Sequence, residues 1–212
     1  MTILDQISEA TQAGKKKDVE LLVQQAIDEG VPVQQVLDEG LVVGMGIIGE
    51  KFSKNEVFVP EMLIAARAMA AGTTLLRPLL VEEGIPPKGQ AVISTVKGDV
   101  HDIGKNLVRM MLEGKGIEVM DLGVDTEPDV IVDYIKENEG LQLVCLSSLL
   151  TTSMAALEET VRKIREAGLH DRVKILIGGA PVTQAYADQI GADAYAPDAA
   201  TGAVRAIELL AG

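Results

Sequence analysis

At 212 residues the chain is long enough for one large domain or two small ones. Hydrophobic residues make up 47% of it but aromatics only 2%, with no Trp, so any core is packed from Leu, Val, Ile, Ala and Met. A net charge of −13 and a pI of about 4.6 repel phosphate backbones and anionic lipid surfaces, which argues against nucleic acid and membrane as partners. The single cysteine, Cys145, rules out an internal disulfide and sits in the apolar run Leu143-Val144-Cys145-Leu146, where it reads as a small hydrophobe rather than a nucleophile. The first residues lack the basic start and apolar centre of a leader, and no run approaches the roughly 18 apolar residues of a membrane span. The expected location is cytoplasmic.

From the start to about Leu80 every signal is helical. Ile3, Leu4, Ile7 and Ala10 recur at helical spacing up to a stop at Gly14, and Val19, Leu22, Val23, Ala26 and Ile27 form one face of a second helix closed by Gly30. A third helix starts at Val31-Pro32 and runs to about Lys54, with four glycines between 40 and 49 that each cost roughly 1 kcal/mol relative to Ala. Something must approach that backbone closely. Pro60 opens a fourth helix, Glu61 to Leu80, and four helices with short connections imply a bundle. The breakers Gly84-Ile85-Pro86-Pro87-Lys88-Gly89 read as a linker, which places one domain at 1–88 and a second at 89–212.

The second half alternates strand and helix, with strands expected at about 90–96, 117–122, 142–147, 173–177 and 193–196 and helices at 104–115, 128–138, 153–167, 183–190 and 200–210. Five such units predict a parallel sheet with helices on both faces, and the order 2-1-3-4-5 is the leading choice. Its crevice, between the first and third strands, would be bordered by the loops Gly98–Gly104 and Ser147–Ser153. A phosphoacceptor receiver shares this fold but needs an aspartate at the end of the third strand, where Leu146-Ser147-Ser148 stand.

The first of those loops, Val96-Lys97-Gly98-Asp99-Val100-His101-Asp102-Ile103-Gly104-Lys105-Asn106, joins an apolar β-branched strand to an amphipathic helix. It is not a P-loop, because five residues separate Gly98 from Gly104 and Asn106 replaces the hydroxyl residue. A dinucleotide fingerprint fails at its second glycine, where Val100 stands. What remains is Asp-x-His-x-x-Gly, followed by Ser147-Ser148-Leu149 after the third strand and Gly178-Gly179 after the fourth. The alternative is a surface histidine on a loop with no ligand.

These three elements resemble the signature of the cobalamin-binding domain shared by methionine synthase, adenosylcobalamin-dependent mutases and the corrinoid proteins of methyltransferase systems. The segment from Val36 to Leu80, through Leu37-Asp38-Glu39-Gly40, Gly44-Met45-Gly46, Phe52 and Phe58-Val59-Pro60, resembles the helical cap of methionine synthase. The fold so implied is a four-helix bundle cap followed by a flavodoxin-like, Rossmann-type five-stranded parallel sheet with helices on both faces. No room remains for the substrate barrel of a mutase or the further modules of methionine synthase, so the chain resembles the corrinoid protein of a multi-component methyltransferase system.

The resemblance implies cobalamin or a related corrinoid as cofactor, passing through methylcobalamin, cob(I)alamin and cob(II)alamin states, with His101 as the protein ligand to cobalt. An imidazole suits that position if its second nitrogen has an acceptor. Asp99 matches the acceptor and Ser147 the hydroxyl that continues the relay, although Asp99 could also be an ordinary turn or cap residue. Gly98, Val100, Asp102, Ile103 and Gly104 belong to the binding loop, with Leu149 and Thr151 on the channel wall. Gly178 and Gly179 would lie against the cofactor's buried tail, and Tyr195 and Ala199 in a last contact loop. Phe52, Val59 and Met62 would cover the upper face and Glu39 reach its rim, unless these are bundle core.

The implied role is to accept a methyl group from a methylated substrate, a methylated or quaternary amine among the candidates, through a substrate-specific methyltransferase. A second methyltransferase, using tetrahydrofolate or a thiol acceptor, would take it, and a reductive activating protein would restore the cofactor. A cobalamin-sensing regulator is the competing reading, against which stands the lack of a basic helix.

Overall fold

Alternation of β-branched apolar runs with amphipathic stretches builds the second half as five strands, β1 (Gln90–Thr95), β2 (Glu118–Asp121), β3 (Leu143–Ser147), β4 (Lys174–Gly178) and β5 (Ala194–Ala196), all paired in parallel in the order β2-β1-β3-β4-β5. The structure, a computed structural model, describes residues 1–211, apart from the side chains of Ser53, Ala200 and Ala211. The chain divides into two compact units, one of Met1–Lys88 with Glu113–Ile117, the other of Gly89–Leu112 with the remainder from Glu118.

In the sheet unit the helices are α6 (Ile103–Glu113), α7 (Pro128–Glu137), α8 (Met154–Glu166), α9 (Gln184–Ile190) and α10 (Ala199–Ala211). Val92, Val144, Leu146, Ile175 and Ile177 pack with Ile131 and Ile135 of α7 and Leu157, Val161 and Ile164 of α8. The period of two sends Ile93 and Cys145 to the other face. Cys145 is buried, which pushes its thiol up to about 12, so the reading of an inert small hydrophobe holds. The order reverses between β1 and β3, and the carboxyl ends of those strands are where this fold opens a crevice.

The helical unit holds α1 (Ile3–Gln12), α2 (Lys16–Asp28), α3 (Val33–Gln35), α4 (Val43–Ser53) and α5 (Val59–Glu82). The third helix expected from the sequence runs from 33 to 53, but its middle, Val36–Val42, is π-helical. Helix α1 approaches two of its glycines: a Cβ on Gly40 would meet Ile7 at 2.9 Å, and one on Gly44 would meet the Ser8 carbonyl at 2.7 Å. Helix α5, 24 residues long with an 18-residue window of mean hydropathy 1.2, is long and apolar enough to cross a membrane by length and composition alone. Small alanines hid that signal by leaving no continuous run of large apolar residues. The helix buries Met62, Ala65, Ala66, Ala68, Met69, Gly72 and Leu76, and Gly72 lies against Leu41 and Val19, so this composition serves the bundle.

Candidate functional site

Strand β1 delivers the chain into a loop with an inverted burial pattern: Val100, His101, Asp102, Ile103 and Gly104 are exposed while Asp99 has no exposed surface. Asp99 folds back inside the loop. Its Oδ1 accepts from the His101 backbone N–H at 3.0 Å and stands 2.7 Å from His101 Nδ1, and its Oδ2 accepts from the N–H groups of Leu149 at 2.5 Å and Leu150 at 3.3 Å. A hydroxyl completes the set, Ser153 Oγ donating at 3.3 Å. One carboxylate thereby ties the loop after β1 to the loop after β3.

Burial pushes the Asp99 carboxyl up, but the hydrogen bonds from His101, Leu149 and Leu150 outweigh it and hold it at about 2. It is therefore ionised at neutral pH and acts only as an acceptor. In the neutral imidazole this acceptor places the proton on Nδ1 and leaves the lone pair on Nε2. The side chain is 49% exposed. The loop is further fixed by the Thr95 hydroxyl, which donates to the His101 carbonyl at 2.7 Å, and by the Val96 N–H, which donates to the Ser147 carbonyl at 3.1 Å.

Ser147 itself is not one of the partners of Asp99, contrary to the expected relay. Its pairing with Thr95 puts both side chains on one face of the sheet, and the next residue, Ser148, takes the other. The 3₁₀ turn Thr151–Ser153 then brings Ser153 over Asp99, where its hydroxyl also lies 2.7 Å from that of Ser148. Both serines are buried, at 2% and 0% exposure. The sequence signal for Ser153 was its place at the start of an amphipathic helix, which marks a turn rather than a strand end.

The glycines separate into two kinds. A Cβ on Gly104 would meet nothing within 4 Å, so its backbone is open to a ligand. Gly179, at φ +129, would drive a Cβ to 1.8 Å from the Ser148 carbonyl, and Gly178 to 3.0 Å from that of Ala196. These two are required by the approach of β4 to its neighbours, whether or not a ligand lies beside them. Leu149 and Thr151 are exposed beside the loop, while Tyr195 and Ala199 are half-buried, Tyr195 packing on the sheet core. In the helical unit Glu39 is exposed and accepts from Gln35 Nε2 at 3.0 Å, and Phe52 and Val59 are half-buried. Met62 departs from the expectation of a presented apolar surface: it is fully buried, packed rather than offered.

These features fit a large cofactor that brings its own metal. Among the described residues no three His, Cys, Asp or Glu side chains gather to hold a bare ion. A single oriented imidazole can instead complete the coordination of a metal already held by a macrocycle. Around it Val100, Ile103, Leu149 and Leu150 are 69%, 70%, 42% and 38% exposed, apolar surface that a flat hydrophobic ring would cover.

Comparison with known proteins agrees with this chemistry. Residues 89–208 match a family described as B12 binding domain, and residues 3–77 match a second family of the same description. The chain is 39% identical over 210 residues to the dimethylamine corrinoid protein of Methanosarcina barkeri, covering 99% of this chain and 98% of that one. It is 36% identical over 202 residues to a corrinoid protein of Desulfitobacterium hafniense, covering 94% and 93%. Among solved structures, the methanol:cobalamin methyltransferase complex MtaBC of Methanosarcina barkeri superposes with a TM-score of 0.89 at 29% identity, over 99% of this chain and 80% of that one. A cobalamin-binding protein of Desulfitobacterium hafniense gives 0.77 at 30% identity, over 97% and 98%.

Proposed function

The chain belongs to the B12-binding corrinoid proteins, and from that membership we propose that it carries a methyl group between partner enzymes on a corrinoid held through His101. The observation that carries this reading is the buried Asp99 carboxylate, 2.7 Å from His101 Nδ1, which orients an exposed imidazole and leaves its Nε2 to face a ligand. Bound corrinoid supplies the cobalt centre on which the methyl group travels.

The protein's own residues orient and shield. Asp99 holds the His101 proton on Nδ1 and Ser153, backed by Ser148, holds Asp99, so the relay runs through Ser153 in place of Ser147. Gly98, Val100, Asp102, Ile103 and Gly104 form the binding loop, with Leu149, Thr151, Gly178, Gly179, Tyr195 and Ala199 at neighbouring strand ends. Residues 1–88 act as the cap, through Glu39, Phe52 and Val59, and residues 89–212 as the cofactor domain.

The partner enzyme is a substrate-specific methyltransferase. Two observations support this: the similarity to a methanol:cobalamin methyltransferase complex, and relatives named for dimethylamine and monomethylamine, which favour a methylated amine as donor. A second methyltransferase with a tetrahydrofolate or thiol acceptor and a reductive activating protein complete the cycle, in the cytoplasm. A DNA-binding sensor is disfavoured by the acidity of the chain. Corrinoid-loaded protein, reduced and mixed with a cognate methyltransferase and labelled dimethylamine, should take up the label, and His101→Ala should slow uptake. Absence of uptake with every methylated amine and with methanol would contradict the carrier reading.

A further inference from the structure

Among the described residues two that are not glycine have positive φ, Asn55 and Asp125. Asn55 sits in the corner between two helices, an ordinary use of that conformation. Asp125, at φ 51, lies in the connection between β2 and α7 and belongs to none of the motif segments. Its side chain does not serve its own turn. Oδ1 accepts from the Gly98 N–H at 2.7 Å, across 27 residues of sequence, and its backbone N–H donates to the Asp99 carbonyl at 2.9 Å. Both contacts are on the stretch that leads into His101.

The neighbours of Asp125 are fixed as well. Gly123 accepts from the Thr95 N–H at 3.0 Å and Thr126 donates to the Thr95 carbonyl at 3.1 Å. Gly123 N–H donates to Asp121 Oδ1 at 2.8 Å, and Asp121 is gripped by Lys105 Nζ at 2.6 Å to both oxygens, with Lys105 only 3% exposed. Lys105 directly follows Gly104. The end of β2 and the connection after it therefore hold the histidine loop at both ends, at Gly98 and Asp99 through Asp125 and at Lys105 through Asp121. An aspartate in the left-handed region is among the few non-glycine residues that tolerate it, and such strain persists where surrounding contacts over-determine it.

We propose that Asp125 is a positioning residue for His101: its carboxylate and backbone set the path of Gly98 and Asp99, and through them the direction in which the imidazole is presented. The inference rests on the reading of His101 as the cobalt ligand. Because Asp125 acts from outside the motif loops, its substitution should change histidine ligation while every side chain of the relay, Asp99 and Ser153, is kept.

The test uses the full chain, grown with isotopically labelled histidine and loaded with cobalamin in its paramagnetic Co(II) form. Electron paramagnetic resonance then reads coupling of cobalt to labelled nitrogen, which the cofactor's own base cannot produce. Asp125→Asn keeps an acceptor and tolerates positive φ, so its coupling and affinity should match wild type. Asp125→Gly keeps the backbone free to adopt φ 51 but removes the acceptor, and Asp125→Ala removes the acceptor and also disfavours φ 51. Each should bind cobalamin about tenfold more weakly, by analogy with other supports behind a metal ligand, with the labelled coupling reduced. Wild-type coupling and affinity in both the Gly and Ala variants would overturn the proposal, as would an Asn variant that fails like Ala. Retention of labelled coupling in His101→Ala would instead overturn the ligand assignment beneath it, and the proposal with it.

Discussion

Two pairs of glycines, one in each unit, serve opposite ends. In the helical unit Gly40 and Gly44 are contact points, where Ile7 and the Ser8 carbonyl occupy the space a Cβ would need. In the sheet unit Gly98 and Gly104 border the His101 loop with nothing of the protein within 4 Å of that position. The first pair is satisfied by the fold alone; the second leaves room that the fold does not use. Bare backbone beside an exposed, oriented imidazole is what distinguishes a binding loop from a packing contact, though both read as a glycine near a helix start or inside a helix.

Substitutions can break that comparison. The largest loss of stability is expected at Gly179, where φ +129 and a Cβ placed 1.8 Å from the Ser148 carbonyl act together: Gly179→Ala should cost at least about 3 kcal/mol in chemical denaturation. A loss below about 1 kcal/mol would mean that β4 and the Ser148 loop can separate cheaply.

Next in size is the carboxylate that joins the two loops. Asp99 is held at about 2 against an ordinary 3.8, so its stabilising contribution is complete above pH 3.8 and disappears as pH falls through 2. The difference corresponds to about 2 kcal/mol. Acid titration of stability should therefore be less steep between those pH values in Asp99→Asn than in wild type, and parallel curves would contradict the assigned hydrogen bonds.

Gly44→Ala should cost about 1 kcal/mol net, overpacking against Ser8 exceeding the gain in helix propensity. Gly104→Ala should leave the melting transition within about 0.5 kcal/mol of wild type while weakening corrinoid affinity about tenfold. Equal affinity would show that the open space at Gly104 is not where the cofactor lies.

Much of this was legible because periodicity is a local property. Alternating β-branched runs gave five strands within a residue or two of their observed ends, and their regular alternation with helices implied the order β2-β1-β3-β4-β5. Asp99 and His101 were paired by the resemblance, whose motif sets both on one loop at a spacing of two. Ser153 could not, since its contact with Asp99 spans 54 residues and depends on a 3₁₀ turn that propensity does not specify. The π-helical stretch Val36–Val42 was likewise invisible, because its apolar positions satisfy an α-helical period about as well. Asp125 escaped for a third reason: a left-handed aspartate carries no pattern, and only the fold brings it to Gly98.

The central claim is that His101 presents a nitrogen to a corrinoid held by the sheet unit. Titrating the purified protein with cobalamin while recording its visible spectrum tests this directly. The account predicts saturable binding of a single equivalent with a spectrum showing the cofactor's own base displaced by a protein nitrogen, and in His101→Ala a spectrum of weaker axial ligation. No saturable binding, or superimposable spectra for the wild type and His101→Ala, would contradict it.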